Sequence, residues 1–240
     1  MKIIEKIKQK SQDWYGQRQP VIAFLGDSVT HGCFDVYVKN NTLQTTVNLK
    51  EGYHEKVKRI LQLLYPEVAV TIINAGLSGD RADAGINRLE RDVLSYKPDL
   101  VVVCYGLNDA MKGADGIDLY RQSLTDIFKD IQKSGAEVIF MTPNLRSDKR
   151  EYCRGEITDK IADEVIKNEV DGWLLKYLDA AKEVCEKEAV PVCDCNALWL
   201  AMKNGGVDIN VILSNMINHP TEELQWLFAY ELVRMMFLNL

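Results

Sequence analysis

"IAFLGDSVTHGCFD" (residues 22–35) joins an apolar run to a glycine, an acid, a serine and a histidine. Ile22 to Leu25 carry no polar alternation, which suits a strand buried on both faces, as in a parallel sheet. Gly26 ends the run, and Ser28 opens a segment that reads as a helix. Serine at that position caps a helix far more often than it catalyses. Alone, the stretch establishes a strand, a turn and a capped helix.

Four more runs of this kind follow: "VAVTIINAG" (68–76), "DLVVVCYG" (99–106), "AEVIFMTP" (136–143) and "AVPVCDC" (189–195). The segments between them have helical spacing. Ile86, Leu89, Val93 and Leu94 recur at three and four, as do Leu124, Ile127, Phe128 and Ile131. Residues 156–187 read as one long helix or two, with a break between Asn168 and Gly172, and residues 221–239 read as a helix apolar almost all round. Strands alternating with helices predict right-handed crossovers and a three-layer α/β/α sandwich on a five-stranded parallel sheet. No repeat or linker divides residues 1–240, so one domain is expected. The connection across residues 31–50 is unusually long, and reads either as a lid or specificity loop or as an irregular surface insertion.

The chain has 240 residues, a net charge of −6 and 27% charged residues of mixed sign. No basic stripe suits a phosphate backbone, so no nucleic-acid partner is expected. "MKIIEKIKQKSQDWYGQ" at the N-terminus lacks a signal peptide's apolar stretch, and no apolar run reaches eighteen residues. A cytoplasmic protein without membrane association is the expectation. The six cysteines read as reduced, mostly core residues, and Cys193 and Cys195 lack a second ligand pair at zinc spacing. With three scattered histidines, neither a metal nor another cofactor is expected. Oligomeric state is left open.

In an open parallel sheet, ligands bind beyond the carboxyl ends of the strands. The first three predicted strands end in "GDS" (26–28), "NAGLSGD" (74–80) and "GLND" (106–109), and "NHP" (218–220) precedes the last helix. Together these hold the parts of acyl-transfer chemistry. A serine hydroxyl needs an adjacent base, and the imidazole of His219 titrates near working pH. A developing oxyanion needs fixed donors, which a glycine-turn N–H at Gly79 and the Asn108 amide can supply. Singly, each residue has a structural reading as a cap, a turn or a helix entrance; the four at one sheet edge favour chemistry. The α/β-hydrolase elbow is disfavoured, because Thr30 stands where its second glycine belongs.

The blocks "FLGDSVTHG" (24–32), "NAGLSGD" (74–80), "YGLNDA" (105–110) and "NHP" (218–220) resemble the SGNH (GDSL-type) hydrolase family of lipases and acylhydrolases, in order and over residues 20 to 235. The resemblance implies a flavodoxin-like sandwich and a serine esterase without cofactor. It implies Ser28 as nucleophile, His219 as base, and an oxyanion hole formed by the Ser28 and Gly79 N–H groups with the Asn108 side chain. Asp27 would be a structural anchor.

One position departs from the pattern. The family commonly has an aspartate three residues before the histidine, and here that residue is Met216. Three readings follow: a Ser28/His219 dyad whose imidazole is oriented by the Asn215 side chain or by a backbone carbonyl near 214–217, that of Met216 included; a carboxylate from elsewhere, with Asp208 the nearest upstream; or a binding protein with impaired catalysis. The first is favoured, because a carbonyl acceptor preserves the productive tautomer whose loss accounts for much of the ~10⁴-fold effect of removing the triad carboxylate in serine proteases. His31 and His54 read as packing residues, with His31 a candidate for the pocket mouth. The expected substrate is a small ester, most simply a short acyl, acetyl, ester of a carbohydrate or metabolite. A lysophospholipase or acyl-thioesterase is the alternative, and would need a longer apolar groove. Phe34, Tyr37, Tyr53 and Arg81 are the candidate substrate contacts.

Overall fold

The computed structural model describes residues 1–151 and 153–238. The chain runs α1 (Lys2–Gln12), β1 (Val21–Gly26), α2 (Ser28–His31), β2 (Cys33–Lys39), β3 (Thr42–Val47), α3 (Tyr53–Leu64), β4 (Thr71–Gly76), α4 (Ala82–Asp92), β5 (Leu100–Cys104), α5 (Ile117–Lys133), β6 (Glu137–Met141), α6 (Glu156–Val170), α7 (Trp173–Lys187), β7 (Val192–Cys193), α8 (Cys195–Asn204) and α9 (Gln225–Leu238).

Five strands form one parallel sheet in the order β4-β1-β5-β6-β7. The apolar runs are buried as their composition requires: Ile22 to Leu25 and Leu100 to Cys104 have no exposed surface. The connection from β1 to β4 runs in one direction along the sheet and those from β4 to β5, β6 and β7 in the other. Right-handed crossovers therefore put α3 on one face and α4, α5 and α7 on the opposite one. α9 returns to the first face, packing on α1, α3 and α8. The direction of the strand connections reverses at β1, so the crevice beyond its carboxyl end is where a ligand site is expected. Ser28 lies there.

The break in 156–187 falls at Asp171–Gly172, where Gly172 has φ +72. The last helix begins at Gln225, and residue 239 of the expected span lies outside the described residues. Residues 31–50 are neither an irregular loop nor an insertion without structure. They form an antiparallel hairpin, β2–β3, closed by Asn40 and Asn41 at φ +53 and +57. Two consecutive left-handed residues make the tight turn whose twist matches a hairpin's, and asparagine tolerates that conformation. The hairpin register slips by one residue at Phe34, between the pairs Cys33↔Val47 and Asp35↔Thr46.

Candidate active site

Three loops leave the ends of β1, β4 and β5 side by side. Asp27 caps α2, its Oδ1 accepting the Val29 N–H at 2.9 Å, so Ser28 becomes the first residue of a short helix pointing out of the sheet. Burial raises the Asp27 pKa to about 7. Beyond β4, Gly79 sits at φ +78, in the left-handed region that favours glycine. Beyond β5, the Asn108 amide donates to the Asp80 carbonyl at 2.9 Å, which joins the second loop to the third.

A buried ion pair ties all three together. Arg88 on α4 donates from Nε to Asp80 Oδ2 at 2.9 Å, from Nη1 to the Ala75 carbonyl at 2.7 Å and from Nη2 to the Gly26 carbonyl at 3.2 Å. The Tyr105 hydroxyl donates to the same Asp80 oxygen at 2.8 Å. One guanidinium thus spans the ends of β1 and β4, and its partner Asp80 reaches the end of β5. Asp109 adds two more ties, accepting the Ala82 N–H at 2.9 Å and the Gly106 N–H at 3.0 Å.

The histidine arrives from a different part of the chain, on a turn between the Leu213↔Pro220 bridge partners. Asn215 organises that turn, its Oδ1 accepting the N–H groups of Ile217 at 3.0 Å, Asn218 at 2.9 Å and His219 at 2.9 Å. Met216 takes φ +56 within it. The result places His219 Nε2 2.9 Å from Ser28 Oγ, with both side chains buried. Burial lowers the His219 pKa to about 4, so the ring is neutral at pH 7. If Nε2 accepts the serine proton, Nδ1 carries the ring hydrogen.

Ser28, Gly79, Asn108 and His219 line one cavity of about 200 Å³. Its remaining walls are unlike those read from the sequence. Val36 and Leu43 come from the hairpin, Met111 from the segment after β5, Ile161 and Val165 from α6, and Ile217 from the histidine turn. Val36, Val165 and Ile217 belong to a small apolar cluster separate from the main core. Arg146 seats α6 over it, bonding Glu169 at 2.9 Å, Asn168 at 2.7 Å and the Leu107 carbonyl at 3.1 Å. Aliphatic side chains in a hairpin and an amphipathic helix carry no chemical mark, so composition alone does not single them out.

Several expected roles are corrected. The Asn215 side chain is fully engaged with its own turn, its Nδ2 donating to Asn218 Oδ1 at 2.9 Å, so it does not reach the imidazole as the orienting group. Of the carbonyls, that of Phe34 on the distant hairpin, not one from 214–217, raises the His219 pKa. Among the described residues, His219 Nδ1 itself is buried without a formed hydrogen bond. Asp208 is held by Lys149 at 2.8 Å and caps the Asn210 N–H, and is not the replacement carboxylate. None of the four expected substrate contacts lines the cavity. Tyr53 is in the core with its hydroxyl on Thr30 at 2.8 Å; Phe34 is buried in the bulge; Tyr37 is half exposed on the hairpin; and Arg81 pairs with Asp83 at 3.1 Å in a neighbouring cleft. His31 is not at the pocket mouth, and His54 packs beside Phe24 with Nε2 2.9 Å from the Asn74 amide. Among the described residues, no group of three or more potential metal ligands is found.

The description of the GDSL-like Lipase/Acylhydrolase family fits residues 24–227. The chain belongs to this family. An acetylxylan esterase of Geobacillus stearothermophilus is 28% identical over 140 residues, 51% of this chain and 58% of its own. An arylesterase of Vibrio mimicus is 30% identical over 100 residues, 39% and 50% of the two chains. The matches thus span 58% and 50% of the length of these relatives. Among solved structures, that of a Geobacillus stearothermophilus acetylxylan esterase superposes with a TM-score of 0.65 at 21% identity, covering 90% of this chain and 93% of its own. An Enterococcus faecalis lipase/acylhydrolase gives 0.64 at 24% identity, with 90% and 95% covered. These likenesses establish a shared fold.

Proposed function

We propose that the protein is a serine carboxylic-ester hydrolase acting through an acyl-Ser28 intermediate. The reading rests on the 2.9 Å approach of Ser28 Oγ to His219 Nε2 inside the cavity that Gly79 and Asn108 also line. Ser28 Oγ attacks the ester carbonyl while its proton passes to His219 Nε2. The carbonyl oxygen takes up the electron pair and is met by the N–H groups of Ser28 and Gly79 and the Asn108 amide. On collapse, His219 returns the proton to the leaving alcohol. Water, deprotonated by the same ring, then releases the acid and regenerates Ser28.

For the substrate, the reading is a short acyl group, acetyl, on a carbohydrate or similar small alcohol. The names of the acetylxylan esterase relatives support it. A second reading, a longer acyl chain, is favoured by the aliphatic wall of Val36, Leu43, Met111, Ile161, Val165 and Ile217 beside the serine. Hydrolysis of p-nitrophenyl acetate, butyrate and octanoate, alongside acetylated xylo-oligosaccharide, separates the two. The first reading expects the highest kcat/KM with acetate and release of acetate from the sugar, whereas preference for octanoate selects the second. Failure of Ser28 to react with a fluorophosphonate, with no ester turned over, rejects both and leaves a binding protein.

A further inference from the structure

His219 lacks the carboxylate that the family's pattern places three residues earlier, since Met216 occupies that position with a side chain unable to accept a hydrogen bond of that strength. Its Nδ1 is nonetheless buried, and a buried N–H without an acceptor destabilises the fold. Two nearby candidates are already engaged elsewhere, Asn215 with the turn and Asp208 with Lys149. What remains is the hairpin.

The one-residue slip in its ladder leaves Phe34 opposite no partner, and such bulges turn a backbone group away from the sheet. The freed Phe34 carbonyl accepts a hydrogen bond from the Ser214 hydroxyl, and the Ser214 N–H in turn donates to the His219 carbonyl at 2.8 Å. Ser214 thereby fastens the bulge to the histidine turn. The next residue, Asp35, takes Arg154 Nη2 at 2.7 Å, and Arg154 Nη1 donates to the Asn215 carbonyl at 2.9 Å. Hairpin, the segment ahead of α6, and histidine turn are closed into one hydrogen-bonded ring.

We infer that this bulge takes the place of the triad carboxylate: the Phe34 carbonyl receives Nδ1–H of His219, and the Asp35 carboxylate beside it supplies the negative charge that favours the imidazolium formed during attack. Phe34 and Asp35 are positioning residues, acting through the ring and not on substrate. A carbonyl has two lone pairs, so it serves the Ser214 hydroxyl and the imidazole together. Nδ1 makes no formed hydrogen bond at rest; the bond to the Phe34 carbonyl forms as positive charge develops on the ring, since catalytic hydrogen bonds commonly tighten only then. Among the described residues, the charged groups tied to this corner are Asp35 on β2 and Arg154 ahead of α6. The Phe34 carbonyl and then the Asp35 charge are the two influences that raise the ring's pKa against its burial.

The inference rests on the dyad reading of Ser28 and His219, but its test does not need turnover. Nitrogen NMR of histidine-labelled protein reads the tautomer and titration of the His219 ring directly, with only three histidines to resolve. The expected result is the Nδ1–H tautomer at pH 7. Asp35→Asn lowers the ring's pKa and Arg154→Gln raises it, because one removes an anion and the other unmasks it. In ester assays, Asp35→Asn lowers kcat about fivefold with KM nearly unchanged, and Asp35→Glu restores most of it. A proton on Nε2 in the parent protein, or shifts of the same sign in both variants, overturns the inference, since mere loosening of the hairpin would not separate them by sign. An Nδ1–H ring with opposed shifts but no hydrolysis of any ester keeps the inference and rejects the esterase reading.

Discussion

The two halves of the site are built on different principles. The half that carries Ser28, Gly79 and Asn108 grows from the ends of three adjacent parallel strands and is pinned by Arg88, Asp80 and Tyr105 in the protein interior. The half that carries His219 is a six-residue detour between Leu213 and Pro220, fixed by one amide inside it and by a hairpin 185 residues away in sequence, the separation of Phe34 and His219. Rigid strand ends set Ser28, Gly79 and Asn108 wherever the sheet forms. His219 stands in register only if remote segments meet, so its placement is the more fragile element.

The predictions separate these two modes of support. Removing either reacting group gives the largest effect: Ser28→Ala and His219→Ala each lower kcat/KM by roughly 10³-fold or more towards p-nitrophenyl acetate, without altering the far-ultraviolet circular dichroism. Arg88→Met comes next. It leaves the Asp80 carboxylate buried without its cation, and the expected loss is about 3–5 kcal/mol of stability in urea unfolding, together with loss of activity, because three loops lose their common anchor. On the histidine side, Asn215→Ala removes the acceptor for three N–H groups; a loss of about 1–3 kcal/mol is expected, with a fall in kcat disproportionate to the stability change. A loss of stability as large as that of Arg88→Met would show that the two halves do not differ in this way.

The pH profile probes the base alone. His219 must be neutral to accept the serine proton, so activity falls as pH drops through its pKa, which burial has lowered from the ordinary histidine value to about 4. The acidic limb of kcat/KM is expected near pH 4, and a limb at 6.5 would show that the ring is solvated. The smallest effect is that of Asp208→Asn, for which kcat/KM should stay within about twofold, since its partners are Lys149 and Asn210 and a surface pair of this kind contributes little.

The parallel sheet was legible because buried strands leave continuous β-branched runs, and because glycine and asparagine punctuate their ends. Ser28, Gly79, Asn108 and His219 were legible because each lies in a short motif whose chemistry restricts the residue type. The Arg88–Asp80 pair was not, since an arginine on an amphipathic helix looks like part of a solvated face until the helix is docked. The hairpin was missed although "NN" between β-branched runs is a turn signal. Its exposed polar residues, Lys39, Thr42 and Thr46 among them, masked the alternation that leaves Val36 inside.

By itself, the sequence determined the strand order of events along the chain, the sandwich class, and the four residue types that meet at the sheet edge, because local patterns of burial, turn formation and reactivity are written residue by residue. Only the tertiary structure decided what faces Nδ1 of His219 and what lines the wall beside Ser28. Both depend on groups without a sequence signature, a backbone carbonyl freed by a bulge and aliphatic side chains on separate elements, and such groups acquire a role only through the contacts that folding creates.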